Sequence, residues 1–214
     1  MLAAESTAPL LSLGGYLPAS VTHYNRAEVD RRLDRLTGTY DPLVEEESVT
    51  VDAETFDSFV QQAEGGYTGG GYAWVVREEP KPLSESMPDV EESYPRVLLA
   101  SVRGEDGWGP AGGGREEGET YEEAAEREVG EETGVECEVV DCRRVERATI
   151  RPDHEGSVDA VHTLWVYFVA REVSGSIDVQ ESELDGAAWF REPPQNRYRG
   201  VADHPWTWEA WSDE

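Results

Sequence analysis

The sequence has very little lysine and a large excess of acid. Of its 18 basic residues only Lys81 is a lysine, against 46 aspartates and glutamates, so the formal net charge is −28. Such a chain repels phosphate backbones, which argues against a nucleic-acid-binding protein. Acidic residues spread along a chain that retains arginine are typical of proteins that work in concentrated salt. We expect a salt-adapted source; an ordinary acidic cytosolic protein is the alternative.

Cysteine is also scarce. Cys137 and Cys142 are the two cysteines of the chain, and the four histidines are scattered along it. This spacing fits neither a zinc site nor a disulfide framework, and it gives little support to His-based triads. We interpret both cysteines as small packing residues in a reducing compartment and expect a cytoplasmic protein.

Long hydrophobic runs are missing. The longest candidate, Val161–Ala170, is interrupted by His162 and Thr163, and it falls short of the roughly 18 apolar residues that a membrane-spanning helix needs. The N-terminus has no basic stretch ahead of Leu10, which argues against a signal peptide. We expect no membrane partner, and the 38% of hydrophobic residues suffice for a packed core.

Two helices are predicted between residues 22 and 65. Asn25 with Glu28 resembles a capping box for the first helix, and Asp52 can cap the second. A glycine-rich run, 65–71, then breaks the pattern, and we divide the chain there into an N-terminal helical extension (1–66) and a second domain (67–214). The apolar residues with helical spacing are Val29, Leu33 and Leu36, then Phe56, Phe59, Val60 and Ala63.

The second part of the chain has β-like texture around one strong helix. Residues 78–95, with four prolines, are predicted to form a solvated insertion loop. Strands before and after a single helix predict a mixed α/β sandwich. The apolar, β-branched runs that predict strands are 72–76, 97–102, 135–145, 161–170 and 187–190.

The strong helix lies in the segment 112–135, GGGREEGETYEEAAEREVGEETGV. Thr120 and Glu123 form a capping box, so the helix is predicted to begin near Tyr121 and to end at Thr133, with Gly134 after it. Its helical spacing gives an apolar stripe that can rest on a sheet: Tyr121, Ala124, Ala125 and Val129. The same spacing brings three carboxylates to one side: Glu128, Glu131 and Glu132.

The charge on this helix requires an explanation. Between Glu116 and Glu132 there are nine glutamates and one arginine, Arg127. Like charges held together beside a sheet repel more strongly as the local dielectric falls. A bound divalent cation offsets this repulsion. Mg²⁺ suits the site because it prefers oxygen ligands, and its coordination shell is typically completed by substrate phosphates. Arg127 can pair with Glu123 or Glu131 while other carboxylates meet the metal. The alternative is a solvated acidic helix face.

The spacing of this segment carries a specific pattern. It is Gly113-x5-Glu119-x7-Arg127-Glu128-Val129-x-Glu131-Glu132-x-Gly134-Val135, with nine fixed positions. An acidic composition weakens the glutamates as a signal but explains neither the glycines nor the arginine. The string resembles the signature of the Nudix (MutT-like) hydrolase family, GX5EX7REUXEEXGU with U apolar, at every defined position, and the lead-in 108–113 is also similar to that family.

The resemblance implies a Nudix α/β/α sandwich with a mixed sheet over about residues 67–200. It also implies hydrolysis, dependent on Mg²⁺ or Mn²⁺, of a nucleoside diphosphate linked to another group. Carried over by position, Glu128, Glu131 and Glu132 are expected to be metal ligands, with Gly113 contributing a carbonyl and Glu119 in the outer shell. Arg127 is expected to orient a glutamate, and it joins Glu128, Glu131 and Glu132 as a catalytic residue.

The general base and the substrate are less well encoded. Candidates for the base are Glu128, then Glu155, Glu181 and Glu183. Arg147 and Arg151 could hold a terminal phosphate, or form surface ion pairs. ADP-ribose, NADH, dinucleoside polyphosphates and oxidised dNTPs all remain open as substrates. The aromatic residues that could stack on a base, although core is the commoner role, are Trp165, Tyr167, Trp189, Trp206, Trp208 and Trp211.

Two other functions remain open from the sequence. One is a non-hydrolytic Nudix-like nucleotide sensor with the N-terminal helices as an interaction module. The other is a structural acidic helix in a salt-adapted protein of unrelated activity. The N-terminal helices could pack on the second domain, mediate a homodimer or shape substrate access.

Overall fold

The computed structural model describes residues 22–79, 95–153 and 159–198. These residues form three helices, α1 (Arg26–Thr39), α2 (Ala53–Glu64) and α3 (Tyr121–Thr133). The strands are β1 (His23–Tyr24), β2 (Leu43–Val51), β3 (Gly69–Arg77), β4 (Arg96–Val102), β5 (Ala111–Gly114), β6 (Val135–Pro152), β7 (Ala160–Gly175) and β8 (Leu184–Phe190). No helix in these residues is both long and apolar enough to cross a membrane.

The described strands form one mixed sheet, as the sequence predicts. Its main order is β2-β6-β7-β3-β4-β8, with β1 beside β7 and β5 beside β3. The pairs β2–β6, β1–β7 and β3–β7 are parallel, and the others are antiparallel. The central strands β3 and β7 pair with each other, and each of them also pairs with two further strands.

Helices cover both faces of this sheet. On one face, α1 and α3 bury Leu36 and Val129 in the same core cluster as Leu164 and Val166 of β7. On the other face, α2 packs Phe56 and Ala63 with Ile150 and Val161. Because side chains alternate along a strand, Val161 and Leu164 point to opposite faces. The α/β/α sandwich is confirmed.

Three of the described strands are absent from the sequence prediction: β1, β2 and β5. Because β1 and β2 lie between residues 22 and 65, this part of the N-terminal extension is not purely helical as predicted but adds strands to the sheet. β2 contains three consecutive glutamates, Glu45–Glu47, which interrupt the alternation of apolar and polar residues that predicts a strand. Its partner β6 lies about a hundred residues further along the chain, so the pairing is not visible in the local sequence. β5 lies within the glycine-rich turn before α3 and pairs with β3. The five predicted strands are all present, and β6 and β7 are longer than predicted.

The caps of the first two helices differ. Asp52 accepts a hydrogen bond from the Thr55 N–H and caps α2, as predicted. The predicted Asn25–Glu28 capping box is wrong, because Asn25 has φ 50° and makes no cap with its side chain. Its amide instead donates to the Tyr67 and His162 carbonyls and accepts from the His162 N–H. Asn25 therefore attaches the start of α1 to β7.

The glycine run continues directly into the central strand β3. A Cβ at Gly70 would lie 2.2 Å from the Gly113 carbonyl oxygen, and one at Gly71 would lie 2.4 Å from the Tyr121 carbonyl oxygen. Glycine is needed here because neighbouring backbones approach closely. The domain boundary at residue 67 stays a prediction. Most of the insertion loop and all of the Trp-rich tail lie outside the described residues.

Candidate active site

The helix α3 begins and ends where the sequence predicts. The Thr120 side chain accepts from the Glu123 N–H, and the Glu123 carboxylate accepts from the Thr120 N–H at 2.8 Å. Gly134 has φ 73°, a left-handed conformation that ends the helix at Thr133. The stripe of Tyr121, Ala124, Ala125 and Val129 is fully buried. This packing fixes the rotation of the helix and therefore the directions of its glutamates.

The three candidate metal ligands differ in exposure. Glu132 is 8% exposed and Glu128 is partly buried, whereas more than half of the Glu131 side chain is in solvent. Among residues 22–79, 95–153 and 159–198, no three acidic, histidine or cysteine side chains are gathered as a ready-made metal site. The assignment of Glu128, Glu131 and Glu132 as ligands stays a prediction.

Glu132 is a buried carboxyl group with one backbone donor. The Gly112 N–H donates to its Oε2 at 3.1 Å. Burial, together with the charges of Glu128 and Glu183, raises the pKa of Glu132 to about 7, although the hydrogen bond from the Gly112 N–H opposes this rise. A cation beside this group would favour the ionised form, since it would offset both burial and repulsion.

Glu128 lies against the glycine turn. Burial raises the pKa of Glu128 above its usual range, although a hydrogen bond from Arg127 at 3.0 Å opposes this. A Cβ at Gly113 would lie 2.7 Å from the Glu128 Cδ, so glycine is required there to make room for the carboxylate. The Gly113 carbonyl oxygen faces Gly70 of β3, and its predicted role as a metal ligand stays a prediction.

Arg127 connects the glutamates of the motif. It donates to Glu119 at 2.8 and 3.1 Å, to Glu131 at 3.1 Å and to the Gly114 carbonyl at 2.9 Å, in addition to Glu128. Hydrogen bonds from Arg127 lower the pKa of Glu119, and those same bonds raise the pKa of Arg127. Of its two predicted partners, Arg127 pairs with Glu131, while Glu123 is engaged in the helix cap.

A cavity of about 330 Å³ opens beside Glu132. Its described wall includes the rings of Tyr72, Tyr167 and Tyr198 and the carboxyl group of Glu105, and it includes no lysine, arginine or histidine. The rings of Tyr72 and Tyr167 are stacked, with centroids 5.5 Å apart. The cavity therefore offers aromatic surface next to a buried carboxyl group, and little to hold a phosphate directly.

The loop between β7 and β8 brings a further glutamate to the site. Its backbone N–H groups bind the carbonyls at the C-terminal end of α3: Asp178 donates to Thr133 at 2.8 Å and Gln180 to Glu132 at 2.9 Å. The Gln180 side chain then donates to the Glu183 carboxylate at 3.0 Å. The Glu183 charge raises the pKa of both Glu128 and Glu132, so Glu183 adds negative charge near this pair.

Other predicted residues have other positions. Of the aromatic candidates, Tyr167 lines the cavity and Trp165 lies beside Tyr72, whereas Trp189 stacks with Arg77. Arg147 forms ion pairs with Asp30 of α1 and Glu46 of β2, the structural alternative, and Arg151 lies on β6 opposite Thr50. Glu155 and the three tryptophans of the tail lie outside the described residues. Burial raises the pKa of both free cysteine thiols to about 12.

A buried arginine within the motif, Arg115, was not predicted from the sequence. Arg115 is 6% exposed and lies in the turn between β5 and α3. It occupies an undefined position of the motif, and two of its hydrogen-bond partners, Gly66 and Thr68, lie more than 40 residues away in the chain, so no local pattern indicated it.

Comparisons with known proteins agree with this arrangement. The family model described as NUDIX domain matches residues 89–195, which is half of the 214 residues. No curated protein matches the chain.

The fold is similar to solved structures at low identity. An ADP-ribose pyrophosphatase from Streptococcus suis is 16% identical, with a TM-score of 0.38 over 63% of this chain and 81% of that one. A UDP-X diphosphatase is 18% identical, with a TM-score of 0.39 over 64% and 65%. A MutT NUDIX hydrolase from Burkholderia pseudomallei is 21% identical, with a TM-score of 0.42 over 64% and 92%.

The match of the family model covers β5, α3 and the loop before β8, and the Nudix motif lies complete within it; β3, which contributes Tyr72 to the cavity, lies before the matched region. The chain therefore belongs to the Nudix family and is a hydrolase of diphosphate bonds.

Proposed function

We propose that the protein hydrolyses a nucleoside diphosphate linked to another group, such as an ADP-ribose-like compound, a dinucleotide or an NTP, with Mg²⁺ or Mn²⁺. One observation carries the proposal: Glu128 and Glu132 are held beside each other and beside Glu183 with raised pKa values, next to a cavity with aromatic walls. Carboxylates kept together at this cost are suited to a hard divalent cation.

The donor set fits such a cation. Glu128 and Glu132 would bind it, with Glu131 joining from the solvent side, and Glu119 would stay in the outer shell, held by Arg127. When bound, the cation would neutralise the diphosphate and make the attacking water more acidic. Arg127 orients Glu128, and their hydrogen bond opposes the rise that burial causes in the pKa of Glu128.

We propose Glu183 as the general base. Glu128, the first candidate, accepts a hydrogen bond from Arg127 and is one of the carboxylates proposed to bind the cation, so it is already engaged. Glu183 is exposed and is placed by Gln180, and the next residue, Leu184, lines the cavity. Its carboxylate would take the water proton as the new P–O bond forms and the anhydride P–O bond breaks, which leaves a nucleoside monophosphate and a second phosphate product.

The cavity supports a position for the uncharged part of the substrate. Aromatic rings stack on nucleobases with little dependence on the base. Because the described wall carries carboxyl groups and no cation, the phosphates would lie outside it, toward Glu128. The nucleobase would then lie against the tyrosines.

A product assay tests the proposal. ADP-ribose, NADH, a dinucleoside polyphosphate and NTPs are incubated with Mg²⁺ or Mn²⁺ in molar salt, and nucleoside monophosphate is measured. We expect one class to be cleaved, and Glu132→Gln to lower kcat by about 100-fold or more. Glu117→Gln removes the same charge at an exposed position of the motif, and it should leave kcat unchanged. Tight binding of a nucleotide without product would contradict the proposal and favour a sensor.

The base has its own matched pair. Glu183→Gln should lower kcat by about 100-fold or more with little change in KM, because binding groups are untouched. Glu181→Gln, an exposed position in the same loop, should behave as wild type. Equal rates for both variants would show that Glu183 is not the base.

A further inference from the structure

Arg115 makes an unusual set of hydrogen bonds for a buried cation. Its Nη2 donates to the Gly66 carbonyl at 2.6 Å, its Nε to the Thr68 hydroxyl at 3.1 Å and its Nη1 to the carbonyls of Glu116 and Glu119, the latter at 3.3 Å. These acceptors carry no formal charge. Burial lowers the pKa of Arg115, which means that its surroundings disfavour the charged form. We therefore attribute its place here to the directions of its hydrogen bonds and not to its charge.

The acceptors of Arg115 belong to two separate parts of the chain. Gly66 and Thr68 connect α2 to β3, and Glu116 and Glu119 form the loop that precedes α3. Thr68 also binds the Tyr121 hydroxyl, through its carbonyl at 2.8 Å and its hydroxyl at 2.9 Å. One guanidinium group therefore attaches the loop that carries Glu119 to the end of the N-terminal segment.

A second arginine reaches the same loop from α1. Arg32 donates from Nη1 to the Glu119 carbonyl at 3.3 Å, and its guanidinium lies 5.7 Å from the centroid of the Tyr121 ring. One turn further along α1, Arg35 makes two hydrogen bonds with Glu122, at 2.7 and 2.9 Å. The helix α1 is thus attached to the first turn of α3.

The Glu119 backbone and side chain are consequently fixed from opposite directions. Its carbonyl accepts from Arg115 and Arg32, and its carboxylate accepts from Arg127 and from the Glu116 N–H at 2.9 Å. A shift of the Glu119 backbone would therefore move Arg127, which also holds Glu128.

We propose that Arg115, supported by Arg32, is a positioning residue for hydrolysis: it fixes the Glu119 loop so that Arg127 holds Glu128 in place. The N-terminal segment 22–66, which lies outside the region matched by the family model, is then part of the working site. This inference rests on the proposed hydrolysis, and it assigns the N-terminal helices the packing role among those that the sequence left open.

The variants Arg115→Met, Arg115→Lys and Arg32→Met test the inference. Arg31→Met is the matched control. Arg31 and Arg32 both donate hydrogen bonds to Glu28, but the described hydrogen bonds of Arg31 do not reach Glu119. We expect both Arg115 variants to lower kcat by about 10- to 100-fold, with KM within about two-fold, because small misplacements of catalytic groups cost rate. Arg115→Lys keeps the charge but loses the fork, so it should fall with Arg115→Met. Arg32→Met should show a smaller loss and Arg31→Met none.

Hydrogen exchange adds a readout that does not depend on activity. At a temperature where all variants are folded, we expect faster amide exchange in residues 113–119 for Arg115→Lys and Arg32→Met than for Arg31→Met or wild type. If wild type cleaves its substrate and the Arg115 variants keep its kcat, the inference is wrong. Unchanged exchange in this loop overturns it as well. Wild type that cleaves no diphosphate would instead contradict the proposed function, and the exchange data would still decide the role of Arg115.

Discussion

Arg127 grips both carboxylate oxygens of Glu119, with Nε at 2.8 Å from Oε1 and Nη2 at 3.1 Å from Oε2. Its remaining nitrogen, Nη1, donates hydrogen bonds to the carboxylates of Glu128 at 3.0 Å and Glu131 at 3.1 Å. One planar guanidinium thus fixes the relative positions of three of the motif's glutamates. An ammonium group, which is a point charge, could not satisfy these directions together.

Arg127→Lys should therefore lower kcat by about 10- to 100-fold although the charge is kept. Steady-state kinetics with saturating Mg²⁺ measure this. Arg143→Lys, at an exposed pair with Asp141, is the control and should change neither kcat nor KM. A kcat for Arg127→Lys equal to that of wild type would show that the fork geometry is unimportant.

Gly113→Ala should lower activity through Glu128. The added Cβ would lie 2.7 Å from the Glu128 Cδ, so the carboxylate must move. Gly114→Ala is the matched control, because its Cβ would meet its nearest atom, in the Tyr67 ring, at an ordinary 3.4 Å. We expect a kcat loss of about 10-fold or more for Gly113→Ala alone. Equal kinetics for the two alanine variants would be incompatible with this geometry.

Acid should destabilise the protein through His162. This residue is 3% exposed, and burial, together with the charges of His23 and Arg147, lowers the pKa of its side chain to about 4. Because the unfolded histidine binds a proton near pH 6.5 and the folded one does not, stability is lost as the pH falls from about 6.5 toward 4. Urea unfolding at pH 7 and pH 4.5 should show a loss about 2 kcal/mol larger in wild type than in His162→Gln. Identical losses would contradict the assignment.

Salt should stabilise the protein. With a formal net charge of −28, the folded chain repels itself, and added ions screen this repulsion. The Tm should rise between 0.1 and about 2 M KCl, and most of the rise should come at the lower concentrations, where the screening length changes most. A Tm independent of KCl would argue against salt adaptation.

The helix α3 was predictable to the residue because its signals are local. Thr120, Glu123 and Gly134 fix its ends within a few positions of sequence, and the stripe that includes Val129 fixes its orientation. The same spacing predicts that Glu128, Glu131 and Glu132 share one side of the helix; Glu128 and Glu132 are at least partly buried, whereas more than half of the Glu131 side chain is in solvent.

The parts that were missed depend on distant partners. The strand β2 exists because it pairs with β6, and Arg115 is recognisable only from its bond to Gly66, 49 residues away in the chain. The local spacing of Asn25 and Glu28 predicts a helix cap, yet the Asn25 side chain forms hydrogen bonds with the backbone of His162. The sequence does not distinguish Glu183 from Glu181 as the candidate base, because the difference depends on how their loop is attached to the end of α3. Local periodicity contains none of these relationships.

The central claim is that the motif glutamates bind a divalent cation beside the diphosphate. Anomalous diffraction from crystals grown with Mn²⁺ and a non-hydrolysable substrate analogue tests it most directly. The account predicts a manganese peak at the carboxylates of Glu128 and Glu132, in contact with a phosphate oxygen of the analogue. Manganese found only elsewhere, with both carboxylates free of it while the analogue is bound, would contradict the account.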